Sequence, residues 1–201
     1  MSKACASLTR NYNAGMSYYS RKGDDGTTGW LGKGRLPKTH ARIEALGALD
    51  EASAALGTAR AAARGAHATE LLLEAQRDLY ALMAEASAAP EDAGTFHFDA
   101  ARVDWLEKQI DALSQDVPAP GEFILPGDSL AGAALDVART VVRRAERRVV
   151  QLFQEGLVTN PALHQYLNRL SSLLFVLELA QNSSAGKRTT FAKRGNKGQA
   201  V

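Results

Sequence analysis

Residues 20–38 read SRKGDDGTTGWLGKGRLPK and hold five glycines, five basic side chains, two aspartates and three Ser/Thr hydroxyls. Those residue types suit polyphosphate chemistry. Glycine lets the backbone wrap closely around a ligand and present its N–H groups. Hydroxyls, lysine and arginine add donors for phosphate oxygens, and aspartate can help to hold magnesium. Composition alone leaves a flexible basic leader open beside phosphate binding. The Walker pattern fails, because no hydroxyl residue follows Gly32-Lys33 and no strand precedes it. A G-x-G-x-x-G fingerprint within a βαβ unit is also missing, which argues against an ordinary P-loop or Rossmann enzyme.

A second group lies further along the chain. Arg139, Arg143, Glu146 and Arg147 recur at helical spacing, and Arg144 and Arg148 extend the run. A solvated face with internal Arg–Glu pairs would look the same. All five cations are arginine, however, the residue suited to bidentate binding of carboxylate or phosphate. Downstream, His164, Asn168, Ser171 and Phe175 sit off a leucine stripe. The four histidines, His40, His67, His97 and His164, show no metal-ligand spacing.

Helices must position these groups. From His40 to about Ala180 the chain is rich in alanine and leucine, and the periodicity predicts five helices. The first, about 39–63, has a face of small residues (Gly47, Ala54, Gly57) with Ile43 and Asp50. The second, about 69–87, carries the stripe Leu72, Ala75, Leu79, Leu82, Ala86. Asp99 is the expected N-cap of the third, whose stripe is Val103, Leu106, Ile110, Leu113. An irregular connector, Val117–Gly127, precedes a fourth helix from about 128 or 129 to 155. Its expected core stripe is Leu130, Ala134, Val137, Val141, Ala145, continued by Val149 and Leu152. Asn160-Pro161 opens the fifth, which carries the strongest apolar stripe, Leu163 to Leu177. No comparable strand pattern occurs, so the fold class is all-α, a five-helix bundle.

Composition sets outer bounds. The 201 residues are 45% hydrophobic and carry a net charge of +2, as expected of one globular domain. The single cysteine, Cys5, excludes an internal disulfide. No apolar run nears the roughly 20 residues needed to span a bilayer. The net charge hides three blocks: +5 over 1–44, −8 over 45–184 and +5 over 185–201. The last block reads as a solvated, disordered basic tail, with nucleic-acid contact a weaker alternative. The acid-free start loosely resembles an organelle transit peptide but lacks a clear amphipathic period, so the expected location is cytoplasmic. The expected organisation is an extension at 1–17, a helical domain at 18–184 with its loop at 18–38, and the tail at 185–201.

Three blocks together resemble the PduO-type ATP:cob(I)alamin (corrinoid) adenosyltransferases. They are Tyr19-Ser20-Arg21-Lys22-Gly23-Asp24-Asp25-Gly26-Thr27-Thr28-Gly29 leading to Arg42-Ile43-Glu44-Ala45, then Phe123-Ile124-Leu125-Pro126-Gly127 with Ala138-Arg139-Thr140 and Arg143-Arg144-Ala145-Glu146-Arg147, and finally Tyr166-Leu167-Asn168-Arg169-Leu170-Ser171. The resemblance implies a homotrimeric five-helix bundle with active sites between subunits and a glycine-rich loop over ATP. It also implies transfer of the 5′-deoxyadenosyl group of ATP to the cobalt of cob(I)alamin, with release of triphosphate. ATP with Mg²⁺ and a corrinoid are the implied small molecules. A corrinoid reductase and an adenosylcobalamin-dependent mutase are the implied partners. By the same resemblance Ser20, Arg21, Lys22, Gly23, Asp24, Thr27, Thr28 and Lys38 match ATP-loop positions. Arg143, Arg144, Glu146, Arg147 and Asn168 match nucleotide-contacting positions. Phe123 matches the aromatic residue under the corrin that leaves a four-coordinate, more reducible cobalt. Asp50 and Arg139 match a pair expected to bridge subunits.

The chain departs from the family pattern at several places. Ser20 and Lys22 stand where threonine is usual, Asp128 replaces a glycine, Asp136 replaces a histidine, and Ser53 and Ser172 replace asparagine and aspartate. Asp136 is expected to compete for Arg139 or Arg143. These substitutions keep a second reading open, a non-catalytic trimer that carries adenosylcobalamin or senses ATP.

Overall fold

A computed structural model describes residues 19–92 and 94–193. The extension at 1–17, with Cys5 and the transit-peptide reading, and the tail end at 194–201 lie outside the described residues. Five long helices make up most of the fold: α1 (Ala41–Ala62), α2 (Ala66–Ser87), α3 (Ala101–Ser114), α4 (Leu130–Gln154) and α5 (Ala162–Ser184). Helix α4 packs between α1 and α5; α2 flanks α1 and α3 flanks α5.

The stripes of α2 and α5 are buried as their periodicity requires. Tyr166 sits at the centre of the core, edge-on to Phe98 with ring centroids 5.1 Å apart. Its hydroxyl donates to Asp78 Oδ2 (2.7 Å), and the Arg102 guanidinium donates to both Asp78 oxygens (2.8 and 2.7 Å), so these buried polar atoms are satisfied. Burial and the adjacent Asp78 push the Tyr166 phenol well above its usual range.

Capping residues set the helix starts. The Ser129 hydroxyl accepts from Gly132 N–H (3.0 Å) and begins α4. Asn160 Oδ1 accepts from Ala162 N–H (3.0 Å), and Pro161 takes the flanking position of α5 rather than its first helical one. Similarly, Asp99 Oδ1 accepts from Ala101 N–H (2.9 Å), although the residue flanking α3 is Ala100.

Helix α4 corrects the expected stripe. Leu130 and Val137 are 80% and 57% exposed, and Ala131, Leu135, Ala138 and Val142 are buried in their place. Apolar residues occupy both of two adjacent helical rows. The row wedged between α1 and α5 forms the core, and the other is left facing outward. The small face of α1 behaves likewise: Gly47, Asp50 and Ala54 are exposed, while Ala45, Leu49, Ala52 and Leu56 pack inward.

Short backbone pairings among the described residues fall outside the helices, one of them a parallel bridge between Leu31 and Ala88. The leader folds as a hairpin, with β1 (Thr27–Thr28) antiparallel to β2 (Leu36–Pro37). At the other end of the chain, Phe191 bridges antiparallel to Ile124. Leu125 N–H donates to the Thr190 carbonyl (2.8 Å), Ala192 N–H to the Phe123 carbonyl (2.8 Å), and the Thr190 N–H (3.0 Å) and hydroxyl (2.6 Å) to Asp128. The first part of the basic tail therefore pairs with the connector, while residues 190–193 stay exposed. Backbone pairing and the Asp128 carboxylate, rather than apolar burial, hold it there.

Candidate functional site

The leader is a built loop. Asp25 Oδ1 accepts from the N–H (2.9 Å) and hydroxyl (2.8 Å) of Thr27, and these bonds hold the Asp25 carboxyl below its usual range. Arg35 donates through Nε to the Thr27 hydroxyl (2.7 Å) and through Nη2 to the carbonyls of Lys22 (2.7 Å) and Thr27 (2.9 Å). The Thr27 hydroxyl is thus engaged inside the loop, where it shapes the turn. Lys38 returns to the start of the loop: its N–H donates to the Gly26 carbonyl (2.9 Å), and its Nζ lies so close over Gly23 that a Cβ there would sit 3.2 Å from it. Ser20, Arg21, Lys22 and Asp24 are exposed on this rim, with Arg21 in the left-handed region (φ 57°) and over the Tyr19 ring.

Arg42 clamps the loop to the bundle. Nearly fully buried, it donates to the Ala86 and Leu157 carbonyls, and its guanidinium lies 5.3 Å from the centre of the Trp30 ring. Burial lowers its pKa, and two carbonyls with an aromatic face stand in for a counter-ion. Leu31 pairs with the end of α2, through Ser87 and Ala89.

Helices α4 and α5 form the second part. Arg143, Glu146, Arg147 and Asn168 line a cavity of about 280 Å³. Asn168 Nδ2 donates to Glu146 Oε1 (3.0 Å), and Arg169 donates to Asn168 Oδ1 (2.8 Å). Arg147 is steadied by the Arg143 carbonyl (2.9 Å). Arg144 points elsewhere: it pairs with Glu51 on α1 and does not line this cavity.

A larger, open cavity of about 890 Å³ adjoins it, and Arg143 borders both. Phe123, 88% exposed, projects from its connector wall. Phe175, Ser172, Asp136 and Arg139 line the helical side, with Ala192 and Lys193 of the segment paired to the connector at its edge. Arg139 donates through Nε to Asp136 (2.7 Å), with Nη2 2.6 Å from the same oxygen. Asp136 therefore captures Arg139 within the protomer, and Asp50 lies exposed on α1 apart from it.

One protomer thus holds two separate sets of the anticipated site residues. No hydrogen bond or ion pair among the described residues joins residues 20–38 to Arg143, Glu146, Arg147 or Asn168. Sequence reasoning missed Glu178, the clamping part that Arg42 plays, and the pairing of Thr190–Ala192 with the connector. Arg42 and Glu178 could have been noticed as charges in otherwise apolar helical rows. That pairing carries no periodic signal.

The comparisons agree on one family. That described as cobalamin adenosyltransferase matches residues 18–181. The corrinoid adenosyltransferase of Mycobacterium tuberculosis is 42% identical over 172 residues, covering 82% of this chain and 88% of its own length. The corrinoid adenosyltransferase PduO of Citrobacter freundii is 39% identical over 183 residues, covering 89% of this chain; the chain spans about half (53%) of that relative. Among solved structures, a phenylalanine-to-alanine variant of a PduO-type ATP:corrinoid adenosyltransferase from Lactobacillus reuteri, complexed with cobalamin and ATP, superposes with a TM-score of 0.82. It is 31% identical, and the match covers 89% of this chain and 100% of that one. An arginine-to-lysine variant of the same enzyme, complexed with ATP, gives 0.78 at 32% identity, covering 87% and 99%.

Proposed function

The chain belongs to the cobalamin adenosyltransferase family, and from that premise we infer that it transfers the 5′-deoxyadenosyl group of ATP to the cobalt of a reduced corrinoid. The cobalt(I) electron pair attacks C5′ of ATP. The C5′–O bond breaks, its electrons leave with triphosphate, and a cobalt–carbon bond forms. The substrate supplies the nucleophile, so the protein's part is orientation and charge stabilisation.

The single observation carrying this reading is Arg143, which borders both cavities. Triphosphate fits the smaller one, where Arg143 and Arg147 offer charge-assisted donors beside Asn168. The larger one, with exposed Phe123 and Phe175, suits the flat apolar face of a corrin. The loop residues Ser20, Arg21, Lys22, Gly23, Asp24 and Lys38 would close over the phosphates, with Thr27 and Thr28 holding the hairpin. Among the described residues no three His, Cys, Asp or Glu side chains gather as a metal cage. Magnesium carried in by the triphosphate fits such a site better than one held by protein ligands alone.

The separation of loop and arginine groove is the reason to place the complete site between copies of the chain. A homotrimer is the proposed assembly, with residues 18–184 as its adenosyltransferase domain. Exposed Leu130, Val137 and the small face of α1 supply an apolar surface for it. Arg139 would then reach Asp50 of the next copy only by leaving Asp136. A reductase delivering the lower-valent corrinoid and a mutase receiving the product are the proposed partners. Among the described residues no helix is long and apolar enough to cross a membrane, and a cytoplasmic location is proposed.

Protein mixed with ATP, Mg²⁺ and chemically reduced cobalamin should give the adenosylcobalamin spectrum and triphosphate; the same assay on an incomplete corrinoid tests breadth. No product under reducing conditions overturns the reading. Capture of Arg139 by Asp136 is the observation that favours the second reading, a non-catalytic carrier of adenosylcobalamin. Tight binding of adenosylcobalamin without turnover would support it.

A further inference from the structure

Helix α5 carries a carboxylate with no partner in the core. Glu178 is fully buried, and neither Oε1 nor Oε2 has a hydrogen-bond partner among the described residues. One turn on, Asn182 is buried too. Its Oδ1 accepts from the Ser129 hydroxyl (2.6 Å), while its Nδ2 is unpartnered. Gly132 makes room for it, since a Cβ there would overlap the Asn182 carboxamide. A buried carboxylate in such a setting must keep its proton or share a cation.

The charged groups that face Glu178 are Asp136 and Arg139 from α4 and Asp128 from the connector. Burial, then Asp136, pushes its carboxyl up; Arg139 opposes this and Asp128 adds to it, to about 7. The cation it could share is already in use, because Arg139 is held by Asp136 at the wall of the cavity that contains Phe123. One guanidinium therefore acts on two carboxylates, Asp136, which holds it at the wall, and the buried Glu178, which feels its charge without bonding to it.

Resting on the reading that this cavity takes a corrinoid, we propose that Glu178 is a positioning residue for Arg139, set by the proton on its carboxyl. Protonated, Glu178 leaves Asp136 and Arg139 at the wall as a neutral pair. Ionised, it adds a second anion to the same guanidinium, draws Arg139 inward and leaves the wall net negative. A negative wall opposes an electron-rich reduced corrinoid, and an inward Arg139 is lost to Asp50 of a neighbouring copy. Corrinoid binding then weakens as pH rises through neutrality.

The test uses the full chain loaded with ATP and titrated with cob(II)alamin by absorption between pH 6 and 8.5, as wild type and as Glu178→Gln. Wild-type affinity for the corrinoid should fall about tenfold from pH 6 to 8, as one-proton linkage allows. Glu178→Gln should stay near the wild-type value at pH 6 throughout, with ATP affinity alike in both. The second readout needs no corrinoid: the Nε–H resonance of Arg139, assigned by its loss in Arg139→Lys. It should move with pH in wild type and stay fixed in Glu178→Gln. Parallel pH courses of binding or of that resonance in the two proteins overturn the inference. Failure of both proteins to bind corrinoid at any pH counts against the functional reading instead, and the resonance then decides the role of Glu178 by itself.

Discussion

Arg143 and Phe123 border one cavity but should fail in different ways. Arg143→Ala removes a charge-assisted donor from the smaller cavity, an interaction worth about 1.5–3 kcal/mol. ATP affinity, read by calorimetry, should fall roughly 10- to 100-fold; equal affinity would remove Arg143 from the nucleotide site. Phe123→Ala leaves every phosphate donor in place, so ATP affinity should hold while most turnover is lost. Unchanged turnover would contradict the lower-face role. Glu178 makes a prediction about stability. Burial, then the Asp136 charge, pushes its carboxyl from the ordinary 4.5 up to about 7 in the folded chain. Between these values the folded chain binds more protons than the unfolded one, so stability falls as pH rises through that window. The loss approaches an order of 3 kcal/mol once pH exceeds the upper value. Chemical denaturation of wild type and Glu178→Gln should therefore agree near pH 4.5, and the variant should be the more stable above pH 7. A constant difference across the range would show that Glu178 does not titrate as argued.

The loop between β1 and β2 is held more closely than its three glycines suggest, and one of them shows why. A Cβ at Gly32 would overlap the Trp30 indole, the ring that Arg42 holds against the bundle. Gly32→Ala should displace Trp30, cost about 1–3 kcal/mol as overpacking does, and raise amide exchange across residues 27–37 while α5 stays protected. Uniform exchange in wild type and variant would mean that Trp30 is not a clamp. Leucine and alanine at strict spacing made α2 and α5 legible from sequence, because each presents one apolar row to the core. Helix α4 was legible as a helix, and Ala145, Val149 and Leu152 face the core as expected, but its first half was not legible in its facing. Its apolar residues fill two adjacent rows, and periodicity cannot say which of them a neighbour will cover. The hairpin and the Thr190–Ala192 pairing were hidden for another reason: they rest on backbone pairing and on Arg35 and Asp128, which leave no hydrophobic period. Site residues were readable as types grouped in motifs. Their partners were not, which is why the Asp136–Arg139 pair could be expected but the buried Glu178 beneath it went unseen.

At the scale of the whole molecule, the loop bearing Lys38 and the groove bearing Arg143 are separate within one protomer, and a site shared between copies makes a quantitative claim. Lys38→Ala should disable the loop and Arg143→Ala the groove, each variant being nearly inactive when assembled alone. Mixed, dissociated and reassembled at equal amounts, the two form hybrid rings in which each site takes its loop from one copy and its groove from the next. A site is intact only when the loop donor carries Arg143→Ala and the groove donor carries Lys38→Ala. Random assembly into a closed ring with head-to-tail contacts makes that combination in about a quarter of sites. Turnover of the reassembled mixture should therefore recover to about one quarter of wild type. A site completed within each protomer would recover nothing, because every chain would still carry one lesion. Adenosylcobalamin formation after reassembly, compared with the unmixed variants treated identically, separates the two. The expected product is a stack of intact sites in a minority of interfaces, so recovery should scale with the product of the two variants' fractions and peak at equal mixing.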